Sequence, residues 1–252
     1  MNSQSGGTGW SGAWFNTTAT SATLSDDNTS LTYPGTFESP STAPIPVGDR
    51  ISTGGIGASS SRLMANTLSL AVDGNVMFAS ALFKKNAANG GGVTTDNILL
   101  EFVDSAGNRR FGLGIEGTGD RPWLNANGST SPATTVTPGD TYFIVAKIVS
   151  SASGTDSAFL KVYGTNYGSE VPIAEPTTWD ATLTQTTSAI LDRIRVRIDA
   201  GNTASTPGEV DEIRIGSDWA SITTVPEPTA GALIALASFA LARRRRRAMA
   251  AT

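Results

Sequence analysis

The densest run of acid in the chain is Glu209-Val210-Asp211-Glu212. Carboxylates paired on one strand face can cleave a glycosidic bond, one as nucleophile and one as acid. A period of two puts Glu209 and Asp211 on the same face. The third position of that series is Ile213, and Glu212 points to the opposite face unless a bulge intervenes. The triad is therefore incomplete, and no catalytic residue is expected from it.

Sugar binding needs exposed aromatic rings that stack on pyranose faces, with amides and carboxylates beside them. Among the five tryptophans, Trp123 in "DRPWLNANGS" and Trp179 in "EPTTWDAT" lie in polar, loop-like settings. They are the candidate ligand-binding residues, weighed against simple packing beneath a loop. Trp10, Trp14 and Trp219 are expected in the core. The alternating stripe Arg193, Arg195 and Arg197 could bind an anionic glycan. The commoner reading of such a stripe is a solvated face paired with acids on the next strand.

Calcium has candidate ligands at Asp26-Asp27-Asn28, at Asp96-Asn97 and at Asp104…Asn108. None has the D-x-D-x-D-G spacing that fixes a calcium loop, and Asp, Asn and Gly between strands usually serve turns. No metal or other cofactor is therefore assigned, calcium remaining open. The glycine runs Gly6-Gly7-Thr8-Gly9 and Gly90-Gly91-Gly92 lack the Lys-Ser/Thr of a phosphate loop and read as flexible connections.

Bulk composition narrows the chemistry further. The 252 residues include no histidine and no cysteine. That removes the Ser-His-Asp triad, thiolate chemistry, disulfides and the commonest zinc ligands. Five of the 18 basic residues are Arg243–Arg247, and Glu227 is the only one of the 22 acids beyond residue 223. The body thus carries 13 basic and 21 acidic residues, a net of −8. Such a body is not expected to bind nucleic acid, which requires a clustered basic face.

The elements that would hold these residues are strands. Short apolar or alternating runs are separated by turn clusters, with no helical period in the body. Four pairs read as antiparallel hairpins: Leu68–Val72 with Val76–Phe83, Ile98–Val103 with Arg110–Ile115, Tyr142–Val149 with Ala158–Tyr163, and Ile190–Ile198 with Glu209–Ile215. In "LDRIRVRID", Ile194, Val196 and Ile198 form the core face. In "EVDEIRIGSDW", Asp211, Ile213 and Ile215 are expected on one face, with Val210, Glu212 and Arg214 on the other. Repeated strand–turn–strand units without intervening helices predict an all-β antiparallel sandwich or jelly roll.

"GGTGWSGAW" (Gly6–Trp14) and "VDEIRIGSDWASI" (Val210–Ile222) resemble the concanavalin A-like, laminin-G-like jelly-roll domains of bacterial surface proteins. The resemblance spans about residues 6–222 and implies that "DEIRIG" is the last core strand. Retaining glucanases of the same broad fold carry an E-x-D-x-E strand, which this chain does not complete. The expected organisation is one jelly-roll domain over 1–222 and a tail over 223–252.

That tail is distinctive. Thr229–Ala242 is a 14-residue stretch without charge, followed directly by Arg243, Arg244, Arg245, Arg246 and Arg247. As a single hydrophobic helix it would reach about 21 Å at about 1.5 Å per residue, short of the roughly 30 Å hydrocarbon core. Arginines can snorkel into the headgroups, and such clusters stay cytoplasmic, so the body would lie outside. Pro226-Glu227-Pro228, the apolar segment and the arginines together resemble the PEP-CTERM sorting signal of bacteria that make exopolysaccharide. The resemblance implies three roles: Pro226, Glu227 and Pro228 as the recognition element, residues 229–242 as the inner-membrane segment, and Arg243–Arg247 as the stop. Its implied partner is an exosortase-like membrane protease, with polysaccharide as a second candidate partner.

Met1-Asn2-Ser3-Gln4-Ser5 shows neither the basic nor the apolar region of a signal peptide. The tail implies export, so the expectation is that the coding sequence starts upstream. The function expected from the sequence is an exported surface or matrix protein, non-enzymatic, carbohydrate-binding or structural. A polysaccharide-cleaving enzyme of the same fold and an inert coat protein are the alternatives.

Overall fold

The computed structural model describes residues 10–16, 24–27, 29–38, 50–53, 57–86, 97–126, 128–130, 132–199 and 208–223. The first strands are β1 (Phe15–Asn16), β2 (Leu24–Asp27), β3 (Thr36–Phe37), β4 (Arg50–Thr53), β5 (Ala58–Ser69) and β6 (Val76–Lys85). Next come β7 (Ile98–Asp104), β8 (Arg109–Ile115), β9 (Pro122–Asn125), β10 (Ser129–Thr130) and β11 (Thr141–Val149). The last are β12 (Asp156–Tyr163), β13 (Glu170–Val171), β14 (Ala181–Gln185), β15 (Ile190–Ile198) and β16 (Gly208–Gly216), followed by a short helix, α1 (Trp219–Thr223). Among the described residues no helix is long and apolar enough to cross a membrane. The predicted hydrophobic helix at 229–242 lies outside the described residues.

Two seven-stranded sheets carry the fold. The first runs β1-β5-β15-β7-β8-β9-β10 and the second β14-β12-β11-β6-β16-β4-β2. Every pairing within them is antiparallel; β13 and β3 form a separate parallel pair. Period two explains how each strand meets the core. Ile194, Val196 and Ile198 of β15 stack with Leu100 and Leu113 of the first sheet. Across the core they face Phe83, Ile144, Leu160 and Val162 of the second.

Two of the four expected hairpins form, β7–β8 and β11–β12. The other two are corrected: β5 and β6 lie in different sheets, as do β15 and β16. Turn residues between the first pair show why. Gly74 N donates to Ser150 O at 3.0 Å and Asn75 N to Ser150 Oγ at 3.0 Å, so they extend the β6–β11 ladder and do not close back on β5. Adjacent strands with apolar faces can bury them by stacking across a sandwich as well as by pairing edge to edge.

A bulge corrects the face assignment in β16. Asp211 pairs with Leu82 and Arg214 with Ser80, leaving Glu212 and Ile213 together opposite Ala81. Glu212 has a φ of 50°, the left-handed region that a bulge admits. The extra residue returns Ile213 and Ile215 to the same core as Val210. It leaves Asp211 and Arg214 on the other side of the sheet, with Leu82 and Ser80.

That other side of the second sheet is covered. Phe78, Leu82, Phe143, Val145 and Tyr163 are buried beneath Leu31, Tyr33, Phe37, Val171 and α1. Trp219 donates from Nε1 to Pro172 O at 2.9 Å, and Ile222 O accepts from Ser80 Oγ at 3.0 Å.

Asp104 closes the β7–β8 turn. Its Oδ1 accepts from the N–H groups of Ala106 (3.0 Å) and Asn108 (2.8 Å), and its Oδ2 from Arg110 Nη2 at 2.6 Å. Burial pushes this carboxyl up, but the Asn108 N–H, the Arg110 guanidinium and the Asn108 amide outweigh it and hold it below the usual carboxylate range. A depressed carboxyl stabilises the fold above the unfolded pKa and loses that contribution as pH falls through the folded one. Asp104→Asn is therefore expected to cost about 2 kcal/mol near neutral pH. The difference from wild type should vanish once the medium is acid enough to protonate Asp104; urea titrations at both pH values measure it. A deficit that persists unchanged in acid would contradict the charge-based role.

Candidate functional site

The outer side of the first sheet carries the other set of its side chains, and those in its middle are buried: Ser61, Leu99, Glu101 and Asn125 are at most 5% exposed. Strand register sets residues there in straight rows. One row runs Ser61 (β5), Arg195 (β15), Glu101 (β7), Gly112 (β8), Asn125 (β9); the next runs Ser59, Arg197, Leu99, Gly114, Trp123. Glycines at 112 and 114 place no side chain in the middle of either row. At Gly114, with φ of 156°, a Cβ would lie 1.9 Å from Ile98 O, so only glycine fits. Glu101 and Asn125 thus stand on either side of β8, about 10 Å apart at two strand spacings.

Glu101 is the electrostatic centre of the face. It sits in the apolar strand "ILLEFVD" and is 0% exposed. Its Oε1 accepts from Arg109 Nη1 at 3.2 Å and lies 3.9 Å from Arg197 Nη1; its Oε2 accepts from Arg195 Nε at 2.5 Å. A fully buried carboxylate is tolerated because three guanidiniums surround it. Arg197 also pairs with Asp199 through Nε at 2.8 Å. Burial pushes the Arg197 guanidinium pKa down, but Asp199 and Glu101 prevail and raise it. Arg193 has a partner of its own, Asp192, at 2.9 Å.

Arg109, Arg195 and Arg197 line an open cleft of about 570 Å³, together with Asn108, Gln185 and Thr187. Ala126, directly after Asn125, lines it as well. Asn125 is 5% exposed and its Oδ1 has no hydrogen-bond partner among the described residues; Trp123 Nε1 is buried and likewise unpartnered among them. Buried polar atoms are rarely left unpaired.

The two aromatic candidates separate here. Trp123 is a strand residue, not a loop residue, and belongs to the rows just described. Trp179 packs on Phe159 (5.7 Å between ring centres) and Trp219 (6.3 Å), on the far side of the molecule. Trp14 and Trp219 are core residues, and Trp10 packs against the core beneath the Arg62 guanidinium, 5.0 Å from its ring centre. The Arg195 and Arg197 part of the stripe does pair with an acid on the neighbouring strand, Glu101, while also lining the cleft. Sequence reasoning missed Glu101, Arg109 and Asn125; a lone acid inside an apolar strand was the available signal for the first.

The acid string of β16 serves the opposite sheet. Glu209 lies 3.5 Å from Arg50 Nε and 3.9 Å from Lys84 Nζ. Asp211 Oδ2 accepts from Leu31 N at 2.7 Å. Among the described residues no group of three or more acids is placed to hold a metal. Asp104 is committed to its turn, and Asn97 Oδ1 accepts from Gly117 N at 2.9 Å. Asn28 and Asp96 lie outside the described residues.

Two stacked antiparallel sheets around one core define the class: a concanavalin A-like jelly roll. The fold aligns with the endo-β-1,4-glucuronan lyase of the fungus Trichoderma reesei at a TM-score of 0.55 and 11% identity, covering 85% of this chain and 94% of that one. A carbohydrate esterase of the Shiga toxin-encoding bacteriophage phi24B aligns at TM-score 0.47 and 10% identity, covering 82% and 90%. The calcium-bound exoplasmic/lumenal domain of VIP36 aligns at 0.39 and 11%, covering 70% and 84%. No match was found among curated protein sequences. Residues 224–247 match the PEP-CTERM protein-sorting motif. The chain therefore carries the signal of a surface protein sorted by an exosortase. Pro226, Glu227, Pro228 and Arg243–Arg247 fall within that match and lie outside the described residues.

Proposed function

We propose that this protein is exported, held at the membrane by its sorting tail before processing, and then displayed at the cell surface or in the extracellular matrix. There it binds polysaccharide on the outer face of the first sheet without cleaving it. The observation that carries the binding reading is the row Arg195–Glu101–Gly112–Asn125. It joins a cleft lined by guanidiniums and amides to a buried amide oxygen that lacks a partner. The position of Thr223 suits display. The last described residue, Thr223, belongs to α1, which packs on the outer face of the second sheet, opposite the cleft. A domain tethered from that face presents the cleft away from its tether.

Binding is favoured over cleavage by the residues at hand. Among the described residues lining the cleft there is no tyrosine or lysine, and the chain has no histidine. The nearby acids, Glu101 and Asp199, are engaged by arginines and poorly placed to take a substrate proton. The likeness to the glucuronan lyase supports the fold, and the reading stands on these residues.

Electrophoresis of the purified protein through native gels cast with single polysaccharides tests the reading. At least one gel should retard it, with no fall in viscosity or release of oligosaccharide on prolonged incubation. Unchanged mobility across acidic and neutral polymers would leave an inert coat protein, and chain cleavage would make it an enzyme.

A further inference from the structure

We infer that the ligand of this cleft carries carboxylates: the site is built for a uronic-acid unit of an acidic polysaccharide. The inference rests on the polysaccharide reading above and adds the chemical class. Its first basis is charge. Arg109, Arg195 and Arg197 share Glu101 and Asp199, so three positive charges face two negative ones. Arg110, which also lines the cleft, is matched by Asp104, and neighbouring Arg193 by Asp192. Among the described residues one positive charge is left uncompensated at the cleft.

Donor geometry is the second basis. A guanidinium offers five N–H groups in a planar fork. Arg109 spends only Nη1 on Glu101, leaving Nε and Nη2. Arg195 donates through Nε to Glu101 and through Nη1 to Gly107 O at 3.5 Å, leaving Nη2. Arg197 donates through Nε to Asp199. The cleft is therefore rich in unused donors, and a carboxylate, which only accepts, is their complement. Neutral sugar hydroxyls need donors and acceptors in comparable number. Asn125 Oδ1 and Trp123 Nε1, one and three residues before Ala126 of the cleft lining, are buried beside it without a partner among the described residues.

The surrounding charge makes the attraction local. With a net of −8 on the body, a polyanion is repelled at a distance and gains only where it meets the cleft. Binding should therefore follow the placed carboxylate and not polymer charge in general, and should depend mildly on salt within the screening length of about 10 Å at 0.1 M.

Full-length protein in detergent is titrated by calorimetry with polyglucuronate, polygalacturonate and alginate, each beside its carboxyl-reduced counterpart, and with dextran sulfate. At least one uronate should bind about tenfold or more tightly than its reduced form, a difference of about 1.4 kcal/mol. Arg197→Gln changes a side chain that is 42% exposed. It should weaken the uronate about tenfold, weaken the reduced form much less and keep the melting temperature within a few degrees. Equal binding of a polymer and its reduced form overturns the inference while the polysaccharide reading stands. Dextran sulfate bound above every uronate also overturns it, in favour of unspecific anion capture. Failure of all polymers overturns the polysaccharide reading itself. The comparison with reduced polymers uses the wild-type protein, so it holds even if an arginine variant misfolds.

Discussion

Glu101→Ala is expected to lower stability by about 3–5 kcal/mol, the cost of leaving buried charges without their partner. In a domain of this size that corresponds to a fall in melting temperature of about 6–20 °C. Glu101 has no exposed surface, and Arg109, Arg195 and Arg197 converge on it. Its removal sets three guanidiniums against one another with only Asp199 nearby. Differential scanning calorimetry measures the shift, and a double variant separates charge from packing. Adding Arg195→Ala to Glu101→Ala removes part of the repulsion, so the pair should be less destabilised than the two single changes summed. A drop below about 1 kcal/mol, or strict additivity, would mean that Glu101 is not the keystone of this face.

Trp219→Ala should cost a comparable amount, about 3–5 kcal/mol for a buried large-to-small change. Trp219 is 4% exposed, meets Phe78, Tyr163 and Trp179 at ring-centre distances of 6.3–6.4 Å, and donates to Pro172 O. Its loss strips α1 of its largest anchor, leaving Ile222 and the Ser80–Ile222 bond. A local signature should accompany the global one. Limited proteolysis should cut the variant between residues 216 and 223 well before it attacks β6 or β11, whereas wild type should resist there. Equal protection of α1 in both proteins would place the anchor elsewhere.

The sequence revealed strands more readily than their partners. Alternation in "LDRIRVRID" correctly placed Ile194, Val196 and Ile198 inside, because a period of two follows from the pleat alone. Asp104-Ser105-Ala106-Gly107-Asn108 correctly closed a hairpin, since the turn chemistry is local. Whether a turn pairs its flanking strands or passes them to opposite sheets is not local. For Gly74 and Asn75 it depended on Ser150, 75 residues and more away in sequence. The β16 bulge hid for the same reason: the two-for-one pairing opposite Ala81 is a property of the partner strand. Much of the site escaped notice because its parts come from five strands. Arg195 and Trp123 were both singled out, but only strand order shows that they share one sheet face. Glu101 sat unremarked between apolar neighbours. The sorting tail was the most legible segment, because its three parts are contiguous and act through sequence and hydropathy, not tertiary packing.

The central claim is that this jelly roll is a surface protein delivered through its tail. The direct measurement is fractionation of the native host, with and without its exosortase, followed by immunoblotting and mass measurement of the protein. With the enzyme present, the protein should appear at the surface or in the matrix. Without it, the protein should collect at the inner membrane with residues 224–247 intact. The same distribution and the same mass in both strains would contradict the account.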